Sequence, residues 1–167
     1  MIKSNAGSSP CGIRPARPEE AALLGELALR SKGHWGYDAA FLAACREDLA
    51  LTATEIAASP VFVYEREDGI AGYYRLLPKE NGVAELDALF VEPGAMGSGI
   101  GRRLWEHVVE TARAIGCRDL LIQSDPYAEG FYLAMGGQRI GESPSTVLPG
   151  RMLPLLRYRI ASRDRPD

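Results

Sequence analysis

The feature that most constrains this chain is a glycine-rich turn that joins a strand to a helix. The apolar run Ala88–Val91 indicates the end of a strand, and residues 92–101 contain four glycines. A helix follows, because apolar residues then recur on one helical face, at Leu104, Val108, Ala112 and Ile115. The first N–H groups of a helix have no partner inside it, and the helix dipole is positive there. This order is therefore typical of a site that holds phosphate.

The spacing of the glycines distinguishes this turn from two other phosphate loops. No Gly-Lys-Ser or Gly-Lys-Thr closes it, and Gly97, Gly99 and Gly101 give G-x-G-x-G rather than the dinucleotide fingerprint G-x-G-x-x-G. The full order V-x-P-x-x-x-G-x-G-I-G-x-x-L, from Val91 onwards, resembles the acetyl-coenzyme A motif of the GNAT superfamily of N-acetyltransferases. Members of that superfamily usually carry Gln or Arg where this chain has Met96.

A second motif follows the next predicted strand. The order D-x-x-A-x-x-F-Y-x-x-x-G, from Asp125 to Gly136, is similar to the superfamily's N-x-x-A-x-x-F-Y-x-x-x-G-F. Asp125 replaces the usual Asn, and Gly137 replaces the usual aromatic residue. Two motifs separated by the expected helix and strand are more specific than either alone. The resemblance therefore extends over nearly the whole chain.

The resemblance implies that acetyl-CoA is bound as a co-substrate. The amides of the loop would bind the pyrophosphate of the cofactor. The pantetheine arm would pair with a strand edge that is left free where the fourth strand splays from the fifth. The residues assigned to the cofactor in this way are Leu89, Phe90, Val91, Met96, Gly97, Ser98, Gly99, Ile100, Gly101, Arg102 and Asp125.

Transfer of an acetyl group to an amine needs an acid for the leaving thiolate and a base for the amine. Tyr132 occupies the superfamily's catalytic tyrosine position, and a phenol with an ordinary pKa of about 10 keeps its proton at neutral pH. The alternative is a core tyrosine, because Tyr132 lies on the apolar stripe of its helix. Glu85 is the candidate base, directly or through water. Glu85 and Asp87 alternate on one strand, so we expect both on one side. The alternatives are that the two carboxylates are simply solvated at the sheet edge, or that they attract a cationic amine electrostatically.

The segment between the first two predicted helices is the candidate acceptor site, because the superfamily walls its acceptor pocket with this connection. Trp35 and Tyr37 could pack against an apolar or cationic substrate, and His34 is an alternative base. With Asp87 they form the predicted substrate-binding set. Ordinary aromatic packing beneath a loop is the alternative for this segment. Arg151 could line the same pocket or make a surface contact of little energetic weight.

The order of helical and strand patterns predicts one α+β domain of the GNAT fold, with a mixed, mostly antiparallel central sheet of six to seven strands and about four flanking helices. We expect the domain over residues 12–162, with tails at 1–11 and 163–167. The helices are predicted at Glu19–Ser31, Asp38–Leu49, Ile100–Ile115 and Pro126–Met135. The strands are predicted at Cys11–Ala16, Val61–Arg66, Ile70–Leu77, Val83–Val91, Asp119–Ser124, Gln138–Gly141 and Leu153–Ile160.

Composition argues against several kinds of partner. A net charge of −3 does not indicate nucleic acid, and no apolar run approaches the ~20 residues that span a bilayer. The N-terminus has no signal-peptide core, so we expect a cytoplasmic protein. Three widely spaced cysteines argue against a disulfide framework, and two histidines are too few for a His-rich metal site, so we expect no metal. The C-terminal strands are the candidate surface of a homodimer, although the sequence has no interface signal.

These observations predict an N-acetyltransferase that moves an acetyl group from acetyl-CoA to a primary amine of a small molecule or peptide. Transfer would be direct, in a ternary complex. One alternative is a non-catalytic acyl-CoA sensor that keeps the loop without the chemistry. Another is an acyltransferase with a different acyl donor or an oxygen nucleophile as acceptor. The sequence does not name the acceptor.

Overall fold

The computed structural model describes residues 11–162, so the expected tails lie outside the described residues except for Cys11. The strands are β1 (Gly12–Pro15), β2 (Val61–Arg66), β3 (Gly69–Pro78), β4 (Val83–Val91), β5 (Asp119–Gln123), β6 (Gln138–Pro144) and β7 (Met152–Arg159). The α-helices are α1 (Ala21–Gly33), α2 (Ala39–Leu49), α3 (Ala53–Ala58), α4 (Ile100–Ala114) and α5 (Glu129–Ala134). Single 3₁₀ turns precede α1 and follow β4, at Pro18–Glu20 and Pro93–Ala95.

The seven described strands form one sheet in the order β1-β2-β3-β4-β5-β7-β6. Only β4 and β5 run parallel, and every other neighbouring pair within residues 11–162 is antiparallel. The prediction of an α+β fold with a mixed, mostly antiparallel sheet of six to seven strands is therefore confirmed. The described chain has five α-helices where the sequence pattern predicts about four.

The additional helix is α3. The sequence pattern that indicates it is a capping box at its start rather than a periodic run of apolar residues. The Thr52 hydroxyl accepts from the Glu55 N–H at 3.1 Å, and the Glu55 carboxylate accepts from the Thr52 N–H at 2.9 Å. The helix has six residues, too few to display an apolar stripe. It buries Ile56 in the core.

Two other elements differ from their predicted bounds for local reasons. The last helix is expected from Pro126, but α5 begins at Glu129 because Asp125 first forms a turn, in which its side chain accepts from the Tyr127 N–H at 2.9 Å. Strand β6 is expected to end at Gly141. It continues to Pro144, because pairing with β7 resumes after an irregularity between Arg139 and Gly141.

The helices cover both faces of the sheet and create two cores. On one face, α4 and α5 bury Leu104, Trp105, Val108 and Tyr132 against the sheet. On the other face, α1 and α3 pack over a second cluster, formed by Leu24, Leu27, Ala28, Ile56, Val61, Val63 and Tyr73. Residues of β4 belong to both clusters, so this strand lies at the centre of the molecule.

Strand β4 leaves its parallel neighbour early. It pairs with β5 only from Val83 to Glu85, opposite Asp119–Leu121, although it continues to Val91. On its other side, Arg75 of β3 pairs with Ala88 while Leu76 pairs with Leu86, so Asp87 is an extra residue in a β-bulge. The expected splay between the fourth and fifth strands is therefore present.

We predict that Gly72→Ala destabilises the fold. A Cβ atom at Gly72 would lie 2.9 Å from the Phe90 carbonyl oxygen and 3.0 Å from Leu104 Cδ1, so α4 could no longer pack as closely on β3. We expect the free energy of unfolding in urea to fall by about 1–3 kcal/mol. The control is Gly130→Ala in α5, where a Cβ meets nothing within 4 Å and stability should be equal or slightly higher. A Gly72→Ala protein as stable as the parent would contradict this packing.

Candidate functional site

A cleft of about 900 Å³ lies where β4 and β5 separate. It is lined by the second half of β4, the glycine-rich loop, the ends of α1 and α2, the start of α5 and the segment before β7. Most of the site residues predicted from the sequence line it, namely Trp35, Glu85, Asp87, Leu89, Phe90, Val91, Met96, Gly97, Gly99, Gly101, Arg102, Asp125 and Tyr132. The structure thus brings the two sequence motifs to one cavity.

Four predicted site residues lie outside the cleft lining. Ile100 is buried in the core, and the Ser98 hydroxyl donates to the Ala95 carbonyl within the loop. His34 is exposed and contacts Trp35 edge-on, with ring centroids 5.2 Å apart. Tyr37 is partly buried and bonded to Asp125. His34 is therefore not brought to the catalytic part of the cleft.

The glycine-rich loop offers backbone donors to this cleft. The N–H groups of Met96 and Ser98 are used within the loop, each at 3.3 Å from a backbone carbonyl. Five other N–H groups have no hydrogen-bond partner among residues 11–162, and they belong to Gly97, Gly99, Ile100, Gly101 and Arg102. Unpartnered amides at the N-terminus of a fifteen-residue helix form a site for an anion such as a diphosphate.

Two of the loop glycines are required by backbone conformation. Gly97 has φ +80° and Gly99 has φ +85°, and Gly99 is the N-cap of α4. Gly101 is helical, and a Cβ there would lie in ordinary contact with Phe131, at 3.7 Å. The first two glycines therefore set the direction of the amides, whereas neither conformation nor space requires glycine at the third position.

The side chains of the loop offer fewer groups for binding an anion than its backbone does. Met96 has no charged group, and Arg102 is exposed and pairs with Glu106 at 3.6 Å on the surface of α4. An exposed pair at i,i+4 stabilises a helix only weakly. The fit of this loop to a diphosphate therefore depends on main-chain N–H groups.

Tyr132 lies at the boundary between the core and the cleft. It is 6% exposed and packs edge-on against Trp105 and Phe131, with centroids 5.8 and 5.2 Å apart. Burial raises its pKa above the ordinary value, and the charge of Asp125 raises it further. Its hydroxyl has no hydrogen-bond partner in the described part of the chain. Tyr132 is therefore a core residue, as one alternative of the sequence analysis expects, and it also lines the cleft.

The two strand carboxylates lie on the same side of β4, as their spacing predicts. Asp87 pairs with Arg75 at 3.2 Å, and Glu85 pairs with Lys79 at 3.7 Å. Burial raises the pKa of Asp87, the Arg75 guanidinium lowers it, and the charge of Glu85 raises it. The cleft therefore has an acidic wall beside its free strand edge.

Asp125 is the centre of a polar cluster. Its carboxylate accepts from the Tyr37 hydroxyl at 2.9 Å and from the Tyr127 N–H at 2.9 Å, and it pairs with Lys32 at 3.3 Å. Burial and the hydrogen bond to Asp125 raise the pKa of Tyr37 to about 12. Arg151 in turn donates to the Tyr37 hydroxyl at 2.8 Å. Asp125 thus ties the start of α5 to the end of α1.

The cleft is lined by side chains that the predicted sets did not include, namely Lys32, Arg75 and Tyr127. Arg151, for which the sequence left a pocket wall and a surface contact open, also lines it. Tyr127 stacks on Trp35, with ring centroids 5.5 Å apart and an interplanar angle of 5°. Both rings line the cleft. No local pattern could identify these residues, because their partners are distant in sequence.

Two further observations concern the described residues alone. None of the helices within residues 11–162 has the length and apolar character needed to cross a membrane. No group of three or more His, Cys, Asp or Glu side chains in this range is arranged to hold a metal ion.

Comparison with known proteins identifies the family. The model of the acetyltransferase (GNAT) family matches residues 28–136, which is more than half of the chain. The protein therefore belongs to the GNAT family of acetyltransferases. The matched range includes the glycine-rich loop, the free edge of β4 and the tyrosine of α5.

Individual relatives are distant or short matches. A protein named IAA acetyltransferase from Azospirillum brasilense is 44% identical over 48 residues, which is 29% of this chain and only 31% of that protein. A GCN5-related N-acetyltransferase from Rhodopseudomonas palustris has a TM-score of 0.73 at 18% identity, and the match covers 93% of this chain and 99% of that structure's chain. The yncA structure from Salmonella typhimurium, solved with its cofactor acetyl-CoA, has a TM-score of 0.64 at 21% identity, and the match covers 95% of this chain and 99% of that structure's chain. These structures share the fold.

Proposed function

We propose that the protein transfers the acetyl group of acetyl-CoA to a primary amine of a small molecule or peptide, directly and within a ternary complex. The observation that carries this proposal is the set of unpartnered N–H groups in the loop and first turn of α4, beside the free edge of β4. Family membership supports acetyl transfer, and the yncA structure is a fold relative solved with acetyl-CoA. The residues present fit this co-substrate.

The cofactor-binding role falls on backbone groups. The N–H groups of Gly97, Gly99, Ile100 and Gly101 would hold the diphosphate, and those of Leu89–Val91 that point away from β3 would pair with the amides of the pantetheine arm. Ser98 would shape the loop rather than donate its own N–H, which is already used. Bound in this way, acetyl-CoA supplies the thioester whose acetyl group is transferred.

Tyr132 is proposed as the acid. The amine nitrogen forms a bond to the acetyl carbon, and the carbon–sulfur bond breaks. The Tyr132 hydroxyl gives its proton to the departing sulfur, and its phenolate recovers, through solvent, the second proton that the nitrogen loses once it is acylated. Burial raises the pKa of Tyr132, so the phenol carries its proton at neutral pH.

Glu85 is proposed as the base that takes the proton of the attacking amine, directly or through a water molecule. Asp87 is bonded more closely to Arg75, at 3.2 Å, than Glu85 is to Lys79, at 3.7 Å. The lone pairs of Glu85 are therefore less engaged. Asp87 would hold the positively charged amine near the strand edge before its proton leaves.

The first prediction concerns Tyr132→Phe. We expect kcat to fall by about 10²-fold or more, because general acid assistance is lost while the ring still packs against Trp105. The affinity of the variant for CoA should stay within about twofold of the affinity of the parent protein. Release of CoA thiol with a panel of amines measures turnover, and calorimetry measures affinity. Unchanged kcat would remove Tyr132 from the chemistry.

The same assay separates the alternative functions. A non-catalytic sensor would bind CoA but release no thiol with any amine, peptide or alcohol. Acetyl-, propionyl- and succinyl-CoA tested side by side would show whether another acyl donor is preferred. The proposal expects acetyl-CoA and an amine to give the highest kcat/KM.

The second prediction compares Glu85→Gln with Asp87→Asn. We expect Glu85→Gln to lower kcat/KM by about 10²-fold, chiefly through kcat, because general-base assistance is lost. Asp87→Asn should chiefly raise KM, because the positively charged amine is held less firmly. Steady-state kinetics with the best amine measure both variants, and the reverse pattern would assign the base to Asp87.

A further inference from the structure

Two cations that are far apart in the sequence meet on one wall of the cleft. Lys32 at the end of α1 and Arg151 before β7 both line it. The guanidinium carbon of Arg151 lies 4.8 Å from the centre of the Phe41 ring and 5.2 Å from that of Tyr37. The Lys32 ammonium lies 5.6 and 5.7 Å from the same two rings. The rings of Phe41 and Tyr37 therefore act as one aromatic platform for two positive charges.

One of the two cations on this platform has no ion pair. Lys32 pairs with Asp125, whereas Arg151 forms no ion pair with any residue in the described range and donates to the Tyr37 hydroxyl instead. Asp48 also lines the cleft, where its carboxylate accepts from the Thr146 hydroxyl at 2.8 Å. A guanidinium has five N–H donors, and the hydrogen bond to Tyr37 uses one of those of Arg151. The others are available to an anion in the cleft.

The opposite excess of charge lies beside β4. Arg75 is surrounded by carboxylates, at 3.2 Å from Asp87 and 3.5 Å from Glu55, and Glu85 lies on the same side of the strand. Lys79, which pairs with Glu85, is half exposed and is screened by solvent. This wall favours a positively charged group. The cleft thus has the two cations of the aromatic platform on one wall and an excess of carboxylates on the other.

We propose that the acceptor is a small amino acid, whose carboxylate is bound by Arg151 and Lys32 and whose amine lies toward Glu85 and Asp87. This inference rests on the proposed N-acetyltransferase function and narrows the acceptor from amines in general to amines that carry a carboxylate. A guanidinium can bind a carboxylate through two parallel N–H···O bonds, and its stacking on the platform fixes the plane of these donors. A peptide N-terminus has no carboxylate at this distance from its amine.

The first test uses matched pairs of acceptors with the full-length enzyme and acetyl-CoA. The twenty proteinogenic amino acids are each compared with the corresponding carboxamide, which keeps the α-amine and the side chain but loses the negative charge. Release of CoA thiol gives kcat/KM for each. For the best amino acid we expect kcat/KM to exceed that of its carboxamide by about tenfold or more, because a hydrogen-bonded ion pair is lost.

The second test uses Arg151→Gln and Arg151→Lys. We expect Arg151→Gln to raise KM for the best amino acid by about 10- to 100-fold, with kcat little changed and the carboxamide unaffected. Arg151→Lys should recover part of the loss. Lys32→Gln provides a second variant with the same expected loss of preference. Arg46→Gln is the matched control, because Arg46 is exposed on α2 and pairs with Glu26 outside the cleft.

The outcomes separate the two proposals. If neither amino acids, carboxamides nor simple amines release thiol, the proposed N-acetyltransferase function fails. If amines turn over but carboxamides do as well as amino acids, the function stands and the carboxylate site is wrong. The same conclusion follows if Arg151→Gln lowers kcat/KM equally for both members of a pair.

Discussion

The site depends on the point at which β4 and β5 stop pairing. Three residues of β4 pair with β5, and beyond them the strand pairs only with β3, past a bulge at Asp87. An unpaired strand edge inside a protein is costly unless its N–H and C=O groups meet water or a ligand. Here the edge opens onto a cleft, because β5 diverges from β4 beyond Leu121 while its other edge stays paired with β7 up to Gln123. The acidic wall, the tyrosine and the glycine-rich loop are all positioned around this gap.

Helix α4 connects the proposed cofactor loop with Tyr132, the proposed acid. Its N-terminus carries the unpartnered amides, and one turn further on its Trp105 packs against Tyr132 of α5. The helix lies close to the sheet only because Gly72 of β3 has no side chain. A displacement of α4 would therefore move the loop and the phenol together. The burial that stabilises the domain also keeps the Tyr132 phenol protonated.

Elements with a strong period or a local motif could be predicted from the sequence. The bounds of β2 and β4 are confirmed, and α4 ends one residue earlier than expected. Helix α3 is too short for a period, and only its Thr52–Glu55 capping box could have indicated it. The loop and Tyr132 belong to motifs, so their meeting in one cleft was also predictable. The contact of Lys32 and Arg151 with Tyr37 could not be predicted from the sequence. It depends on how α1, α2 and the segment before β7 pack together.

The central claim is that main-chain N–H groups hold the cofactor, and calorimetry with coenzyme A tests it on a matched pair of glycines. Gly99→Ala and Gly116→Ala introduce the same backbone strain, since φ is +85° and +86° and neither Cβ meets an atom within 4 Å. Gly116 follows α4 at its far end, away from the loop. The account predicts that Gly99→Ala weakens CoA binding by about tenfold or more, since αL geometry costs roughly 1–2 kcal/mol, while Gly116→Ala binds as the parent does. Equal affinity for both variants, or no binding of CoA by the parent protein, would contradict it.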